Sequence, residues 1–139
     1  MNRAGLSSVS ELLDAALAAP GENPMRSLRV LVVDDDPNVR TLIATGIRGD
    51  GHHVQTASNS TWALALHMKQ PFDAVVVDLV LLGERGILLG TAIKRLNART
   101  AAILVTAYMQ EVKDHPFDLV IPKPFPHCVL RAALELFCP

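Results

Sequence analysis

The sequence predicts an α/β fold, a doubly wound five-stranded parallel sheet with helices on both faces. Two observations predict it. From Leu28 onward, short runs rich in β-branched residues alternate with segments of helical periodicity. These runs are apolar almost throughout, as strands of a parallel sheet are when helices bury both of its faces. Right-handed crossovers between such strands lay the helices on both sides of the sheet.

The predicted elements follow the order βαβαβαβ, then an irregular segment, then βα. The first strand, Arg29 to Val33, leads to Asp36 as a helix N-cap and Pro37 as the first helical position. The following helix is predicted over 38–47, ending before Gly49 and Gly51. The other predicted elements are strands at 53–57, 74–77, 101–105 and 119–121, helices at 60–69, 87–96 and 127–137, and a loop at 79–85.

Residues 1–27 are expected to form an N-terminal extension to a domain spanning 28–139. Ser8-Val9-Ser10-Glu11 has the spacing of a capping box, and residues 20–24 have the composition of a linker. A short helix is marginal alone, so its apolar face is expected to pack on the domain, on a second copy or on a partner, unless it is a frayed tail. That face carries Val9, Leu12, Leu13, Ala16 and Leu17.

Length and composition exclude several classes of protein. The 139 residues suit a single domain that needs neither disulfides nor structural zinc. No apolar run approaches the roughly 18 residues of a membrane helix, and the N-terminus lacks a secretory signal, so a cytoplasmic location is expected. A net charge of -1 without a basic cluster disfavours nucleic-acid binding. The spacing of Cys128 and Cys138 fits no zinc pattern and predicts reduced thiols.

Polar groups follow four of the predicted strands at the point where each ends. Asp34-Asp35-Asp36 follows the first, Asp78 the third, Thr106 the fourth and Lys123, after Pro122, the fifth. Ligands of open parallel sheets bind outside the carboxyl ends of the strands, so these groups are expected to meet in one crevice.

The carboxylates of Asp34, Asp35 and Asp78 would repel one another in such a crevice unless a cation lay among them. Hard oxygen ligands of this kind suit Mg²⁺. Asp36 by itself is better explained as a helix cap. A carboxylate oxygen of Asp78 could then attack a phosphoryl group, with Thr106 and Lys123 binding the phosphoryl oxygens. Taken singly, each of these residues has an ordinary structural explanation.

The motifs that surround these residues resemble the receiver domain of two-component response regulators over 28–139. They are Val30 to Pro37, Val75 to Leu79, Gly86 eight residues after Asp78, Leu104 to Tyr108, and Lys123-Pro124-Phe125. The resemblance implies the flavodoxin-like strand order 2-1-3-4-5. It also implies a cis bond between Lys123 and Pro124.

The resemblance assigns a role to each site residue. Asp78 would be the phosphoacceptor, charged from a phosphohistidine on a sensor histidine kinase or a histidine phosphotransfer protein. Asp34, Asp35 and Asp78, with the backbone carbonyl of Val80, would hold Mg²⁺ as the cofactor. Lys123 would pair with the phosphoryl group, and Thr106 would move to bond it.

The sequence departs from the family pattern between Thr106 and Lys123. Only sixteen residues separate the two, fewer than usual, and Pro116 interrupts them. The fourth helix of the family pattern must therefore be short or absent. Val120 stands where receivers commonly carry the aromatic that turns inward with Thr106, and Leu82 stands where the loop after the phosphoacceptor usually has proline.

The expected function is a stand-alone receiver for phosphorelay signal transduction, because the chain ends directly after the last predicted helix. It would act by protein contact or onward phosphotransfer, catalysing only its own phosphorylation and dephosphorylation. The first helix, through Arg40, Ile43 and Ile47, is the expected kinase contact. The alternative is a pseudo-receiver that binds or dimerises without phosphorylation. A phosphatase of the haloacid dehalogenase type is disfavoured, because Asn38 stands where Thr or Val is expected.

The histidines and the tryptophan carry no predicted chemistry. Trp62 is expected to be a packing anchor. The histidines are expected at solvated or cap positions rather than as metal ligands or phosphodonors: His52, His53, His67, His115 and His127.

Overall fold

The structure is a computed structural model, and it describes residues 11, 26–78, 80–81, 84–108 and 114–138. Its main sheet has five parallel strands, with strands numbered in chain order: β1 (Arg29–Val33), β2 (His53–Ala57), β3 (Ala74–Asp78), β6 (Ala101–Thr106) and β7 (Leu119–Pro122). The spatial order is β2-β1-β3-β6-β7. Counting only the main sheet, this is the predicted order 2-1-3-4-5.

Four helices connect and flank these strands in the described part of the chain: α1 (Pro37–Gly49), α2 (Ser60–Lys69), α3 (Gly86–Leu96) and α4 (His127–Phe137). Asp36 caps α1 as predicted, because its Oδ1 accepts hydrogen bonds from the backbone N–H groups of Asn38 at 2.9 Å and Val39 at 3.3 Å. Asn59 caps α2 in the same way, accepting from the N–H of Trp62 at 2.8 Å. The predicted strand and helix positions are confirmed to within two residues at each end.

The prediction of a loop at 79–85 is wrong in one respect. Two short strands, β4 (Val80–Leu81) and β5 (Glu84–Arg85), pair antiparallel within it. Each has only two residues, too few for an alternating pattern to be visible in the sequence.

The core has two parts, one on each face of the sheet, because alternate residues of a strand point to opposite faces. On the α1/α4 face, Val30 and Val32 of β1 pack under Ile47 and Phe137. On the α2/α3 face, Leu31 and Val33 pack under residues of both helices and of the segment before β7: Ala63, Leu89, Ile93 and Phe117. The sheet is therefore buried on both sides, as the apolar runs predicted.

The segment between β6 and β7 contains no helix among its described residues, 107–108 and 114–118. The predicted reduction of the fourth family helix agrees with this. Phe117 is 6% exposed and belongs to the core of the α2/α3 face. Its ring lies against Gly90 of α3, where a Cβ atom would come within 2.5 Å of the ring.

Three expectations about individual side chains are wrong. Trp62 is 57% exposed rather than a packing anchor. His52 and His67 are buried rather than solvated. The Nδ1 of His52 accepts a hydrogen bond from the backbone N–H of Leu28 at 3.0 Å, and the Nδ1 of His67 accepts one from the N–H of Phe72 at 3.2 Å.

The expected contact surface on α1 also needs correction. Ile43 is 7% exposed and Ile47 is fully buried, since both face the sheet. The exposed side of α1 instead presents Leu42, which is 74% exposed.

Cys128 is exposed and Cys138 is buried, and neither forms a disulfide bond, which agrees with the predicted reduced thiols. None of the described helices is long and apolar enough to cross a membrane. The predicted N-terminal helix lies outside the described residues apart from Glu11, and the division at residue 27 stays a prediction.

Candidate functional site

Three carboxylates meet at the carboxyl edge of the sheet. Asp34 and Asp35 directly follow β1, and Asp78 is the last residue of β3. The two strands pair in parallel with Val33 opposite Val77, so their ends lie side by side. One oxygen from each of Asp34, Asp35 and Asp78 lies within 4.8 Å of the others. The convergence predicted for these three residues is present.

Lys123 reaches the same point from the end of β7. Its Nζ donates to Oδ2 of Asp34 and to Oδ2 of Asp78, each at 3.3 Å. Its backbone N–H donates to the carbonyl of Thr106 at 2.8 Å, which extends the β6–β7 pairing by one residue. The bond to Pro124 is cis, as the resemblance implied.

Asp34 is fixed from several directions. Its side chain is only 2% exposed, and its Oδ1 accepts from the N–H of Asp36 at 3.0 Å. Its backbone N–H donates to the carbonyl of Ala57 at 3.2 Å, and its carbonyl accepts from Nη1 of Arg40 at 2.9 Å. A charge that is this buried needs its partners, and the ammonium of Lys123 is one of them.

Thr106 ends β6 beside β3, whose Asp78 pairs with the preceding Val105. The residue is fully buried, and its Oγ1 accepts from the N–H of Tyr108 at 2.9 Å. Thr106 therefore lies at the same edge of the sheet as the carboxylates. Its role in binding a phosphoryl group stays a prediction, as does the role of the Val80 carbonyl on β4.

Gly86 explains how α3 begins so close to the site. A Cβ atom at this position would overlap the backbone carbonyl oxygen of Asp78. Only glycine lets the two backbones approach in this way. The spacing of Gly86 from Asp78 is visible in the sequence, whereas this close approach of the two backbones is visible only in the structure.

Arg40 has a structural role in the site that the sequence did not predict. It lies one turn into α1, and its guanidinium bonds the carbonyl that follows β1. Its position in the sequence could have indicated this role. Arg40 lies four residues after the N-cap, and a long side chain there can reach back to the loop before the helix.

The fold and this arrangement of three carboxylates with a lysine define a doubly wound α/β protein with an acidic site at the carboxyl edge of its sheet. Residues 30–135 match the family model of the response regulator receiver domain. The chain belongs to the response regulator receiver domain family.

Two relatives illustrate the match in sequence. A putative NtrX-like response regulator of Rickettsia conorii is 31% identical over 122 residues, covering 82% of this chain and 26% of the relative. The transcriptional regulatory protein ZraR of Escherichia coli is 32% identical over 115 residues, covering 78% of this chain and 26% of the relative. The chain thus spans about a quarter of the length of these relatives.

Solved structures agree in fold. A CheY-like receiver domain from Methylobacillus flagellatus has a TM-score of 0.74 at 20% identity, covering 80% of this chain and 98% of the other. The receiver domain of a sensor histidine kinase from Pseudomonas aeruginosa has a TM-score of 0.74 at 23% identity, covering 81% and 98%. That second structure holds a magnesium ion in its active-site cleft.

Proposed function

We propose that this domain accepts a phosphoryl group on Asp78 from a phosphohistidine donor, in a Mg²⁺-dependent phosphorelay. The observation that carries the proposal is the position of the Lys123 ammonium, 3.3 Å from both Asp34 and Asp78 within a cluster of three carboxylates. Lys123 thus places one cation between two carboxylates that follow different strands, at the edge of the sheet where β6 also ends.

The chemistry is a displacement at phosphorus. A carboxylate oxygen of Asp78 forms the new O–P bond while the N–P bond of the phosphohistidine breaks, and the departing imidazole keeps the electron pair and takes a proton from water. Lys123, already beside Asp78, is within reach of the phosphoryl oxygens once they are attached there. The buried hydroxyl of Thr106 would donate to one of those oxygens after leaving the Tyr108 N–H.

The donor set fits Mg²⁺. Carboxylate oxygens are the hard ligands that Mg²⁺ prefers, and three are within 4.8 Å of one another. Asp34 and Asp35 would hold the ion with Asp78, and the carbonyl of Val80 is the proposed backbone ligand. Bound Mg²⁺ would offset the negative charge that the phosphoryl oxygens add to the carboxylates. The magnesium in the Pseudomonas aeruginosa receiver supports this assignment.

The proposed partners are a sensor histidine kinase or a histidine phosphotransfer protein, and the proposed location is the cytoplasm. The domain would then act by protein contact or by passing the phosphoryl group onward. Asp78 is consumed and regenerated within this cycle, so the domain catalyses only its own phosphorylation and dephosphorylation and is not an enzyme in the usual sense.

The test is to incubate the protein with acetyl phosphate and Mg²⁺ and to follow its intact mass. We expect a phosphoryl adduct that disappears in Asp78→Asn and in the presence of EDTA. The matched control is Asp36→Asn, which changes a neighbouring carboxylate but keeps an effective helix cap. This variant should form the adduct normally.

An adduct that persists in Asp78→Asn would place the phosphoryl group elsewhere and refute the assignment. Folded protein that forms no adduct with acetyl phosphate or with a phosphohistidine protein would favour the alternative function, a pseudo-receiver that acts as a binding or dimerisation module.

A further inference from the structure

An apolar groove of about 510 Å³ lies between α1 and the segment from β7 to α4. Its walls include Val39, Leu42 and Ile43 on one side and Pro124, Phe125 and Leu130 on the other. Leu42 is 74% exposed, and Val39 and Phe125 are only partly buried. An apolar surface of this kind on a folded domain commonly marks a binding site.

The sequence supplies an occupant of matching chemistry. Residues 8–17 have the pattern of an amphipathic helix, with Val9, Leu12, Leu13, Ala16 and Leu17 on one face. The same residues contain Glu11 and Asp14 and no basic residue, whereas the residues that line the groove include Lys123 and His127 and no acidic residue. The segment and the groove therefore match in apolar character, and their charged residues are opposite in sign.

The attachment point places this segment within reach. Ser27, where the chain enters the domain, donates its hydroxyl to the carbonyl of Gly51, just beyond the end of α1. The eight residues 18–25 can span up to about 26 Å when extended. The stretch of α1 from Gly49 back to Val39 is about 15 Å long. Tethering so close also raises the effective concentration of the segment at the groove.

We propose that residues 8–17 bind, as an amphipathic helix, in the groove between α1 and α4 of their own chain. This binding would cover Leu42. It would also bury the apolar face of the segment, which a helix of this length cannot bury by itself. The inference concerns the groove and its occupant, and it does not depend on phosphorylation of Asp78.

The structure offers an internal reference for the test. Leu42 is 74% exposed and Leu88, on α3 at the other face of the sheet, is 70% exposed. In the unmodified full-length protein, hydroxyl-radical footprinting measures the oxidation rate of both leucines in one sample. If residues 8–17 cover the groove in about two thirds of the molecules, Leu42 should be oxidised roughly threefold more slowly than Leu88.

Two full-length variants identify the occupant. Leu12→Gln with Leu13→Gln removes apolar contacts while keeping good helix formers, and it should bring the two rates to near equality. The control Ala15→Gln changes the opposite face of the same segment and should leave Leu42 protected. Equal rates in the unmodified protein, or protection that survives the leucine changes, would overturn the proposal. Protection lost on dilution would identify a second copy as the occupant and also overturn it.

Discussion

On the α1/α4 face of the sheet two helices provide the cover, whereas on the α2/α3 face the aromatic side chain of Phe117, from an irregular segment, adds to the cover given by α2 and α3. Ile47 of α1 and Leu134 and Phe137 of α4 are fully buried on the first face. On the second, the sheet beside β6 and β7 is covered by α3 together with Phe117, which comes from the irregular segment before β7.

The segment that carries Phe117 is anchored by polar contacts. Asp118 accepts from the N–H of Ala102 at 2.8 Å and forms an ion pair with Lys94 at 2.7 Å, and its own N–H donates to the Ala102 carbonyl. Lys94 also donates to the carbonyl of Thr100 at 2.7 Å. These bonds fix the start of β7, and the described residues just before it, 114–118, are not helical.

The largest effect is expected from Phe117→Ala. Removing a buried ring costs about 3–5 kcal/mol through lost transfer energy and the cavity that remains. Urea unfolding would measure the loss. The matched control is Tyr108→Ala, which removes a 51% exposed aromatic from the same β6–β7 connection and should change stability by less than about 1 kcal/mol. Similar losses in the two variants would contradict the role given to Phe117.

Gly90→Ala tests the other half of that contact. A Cβ atom at Gly90 would lie 2.5 Å from the Phe117 ring, so the ring or the helix must move. Such overpacking costs about 1–3 kcal/mol, and the better helix propensity of Ala offsets about 1 kcal/mol of it, so we expect a net loss of up to about 2 kcal/mol. Gly49→Ala is the control, because nothing lies within 4 Å of its Cβ position. If Gly90→Ala unfolds at the same urea concentration as the parent or higher, the contact is not tight.

The sequence predicted the strands and the acidic site because both depend on local patterns. The β-branched runs mark the strands, and parallel pairing then places Asp34, Asp35 and Asp78 at the same edge of the sheet. The cap at Asp36 follows from its position before Pro37. The resemblance supplied the strand order and the cis bond between Lys123 and Pro124, which no periodicity contains.

What the sequence did not predict depends on contacts between distant elements. In α2 apolar residues occur around the whole helix, so its pattern does not say whether Trp62 or His67 points inward. His67 faces the core because the N–H of Phe72 needs an acceptor there, whereas Trp62 is left exposed. The packing of Phe117 on Gly90 likewise joins residues that share no local motif.

Buried histidines are expected to give the first response of folding to acid, and His67 is the one on the α2/α3 side. Burial lowers the pKa of His67 on the α2/α3 side, where its neutral Nδ1 accepts from Phe72. Below about pH 6.5 the unfolded chain binds a proton that the folded state resists. This contribution is therefore complete above pH 6.5 and is lost as the pH falls towards the lowered pKa.

The measurement is urea unfolding of the parent protein and of His67→Asn between pH 7.5 and 5. Asn keeps an acceptor near the position of Nδ1 but does not titrate, so the variant should lose less stability across this range than the parent. Burial lowers the pKa of His52 as well, so part of the parent's slope should remain. Identical slopes would show that His67 does not titrate differently in the folded state.

The smallest effect is expected at Asp50, on the α1/α4 face, and only in stronger acid. Burial raises the pKa of Asp50, but the hydrogen bonds from His127 at 2.7 Å and Arg131 at 3.1 Å outweigh it and hold the pKa below its usual range. The contribution of this carboxylate is present above about pH 4 and is lost as the pH falls further. Asp50→Asn should therefore be less stable than the parent at pH 7, and the gap in the free energy of unfolding should narrow below pH 4. If the difference in the free energy of unfolding stays constant with pH, the charge of Asp50 does not stabilise the fold through its contacts with α4.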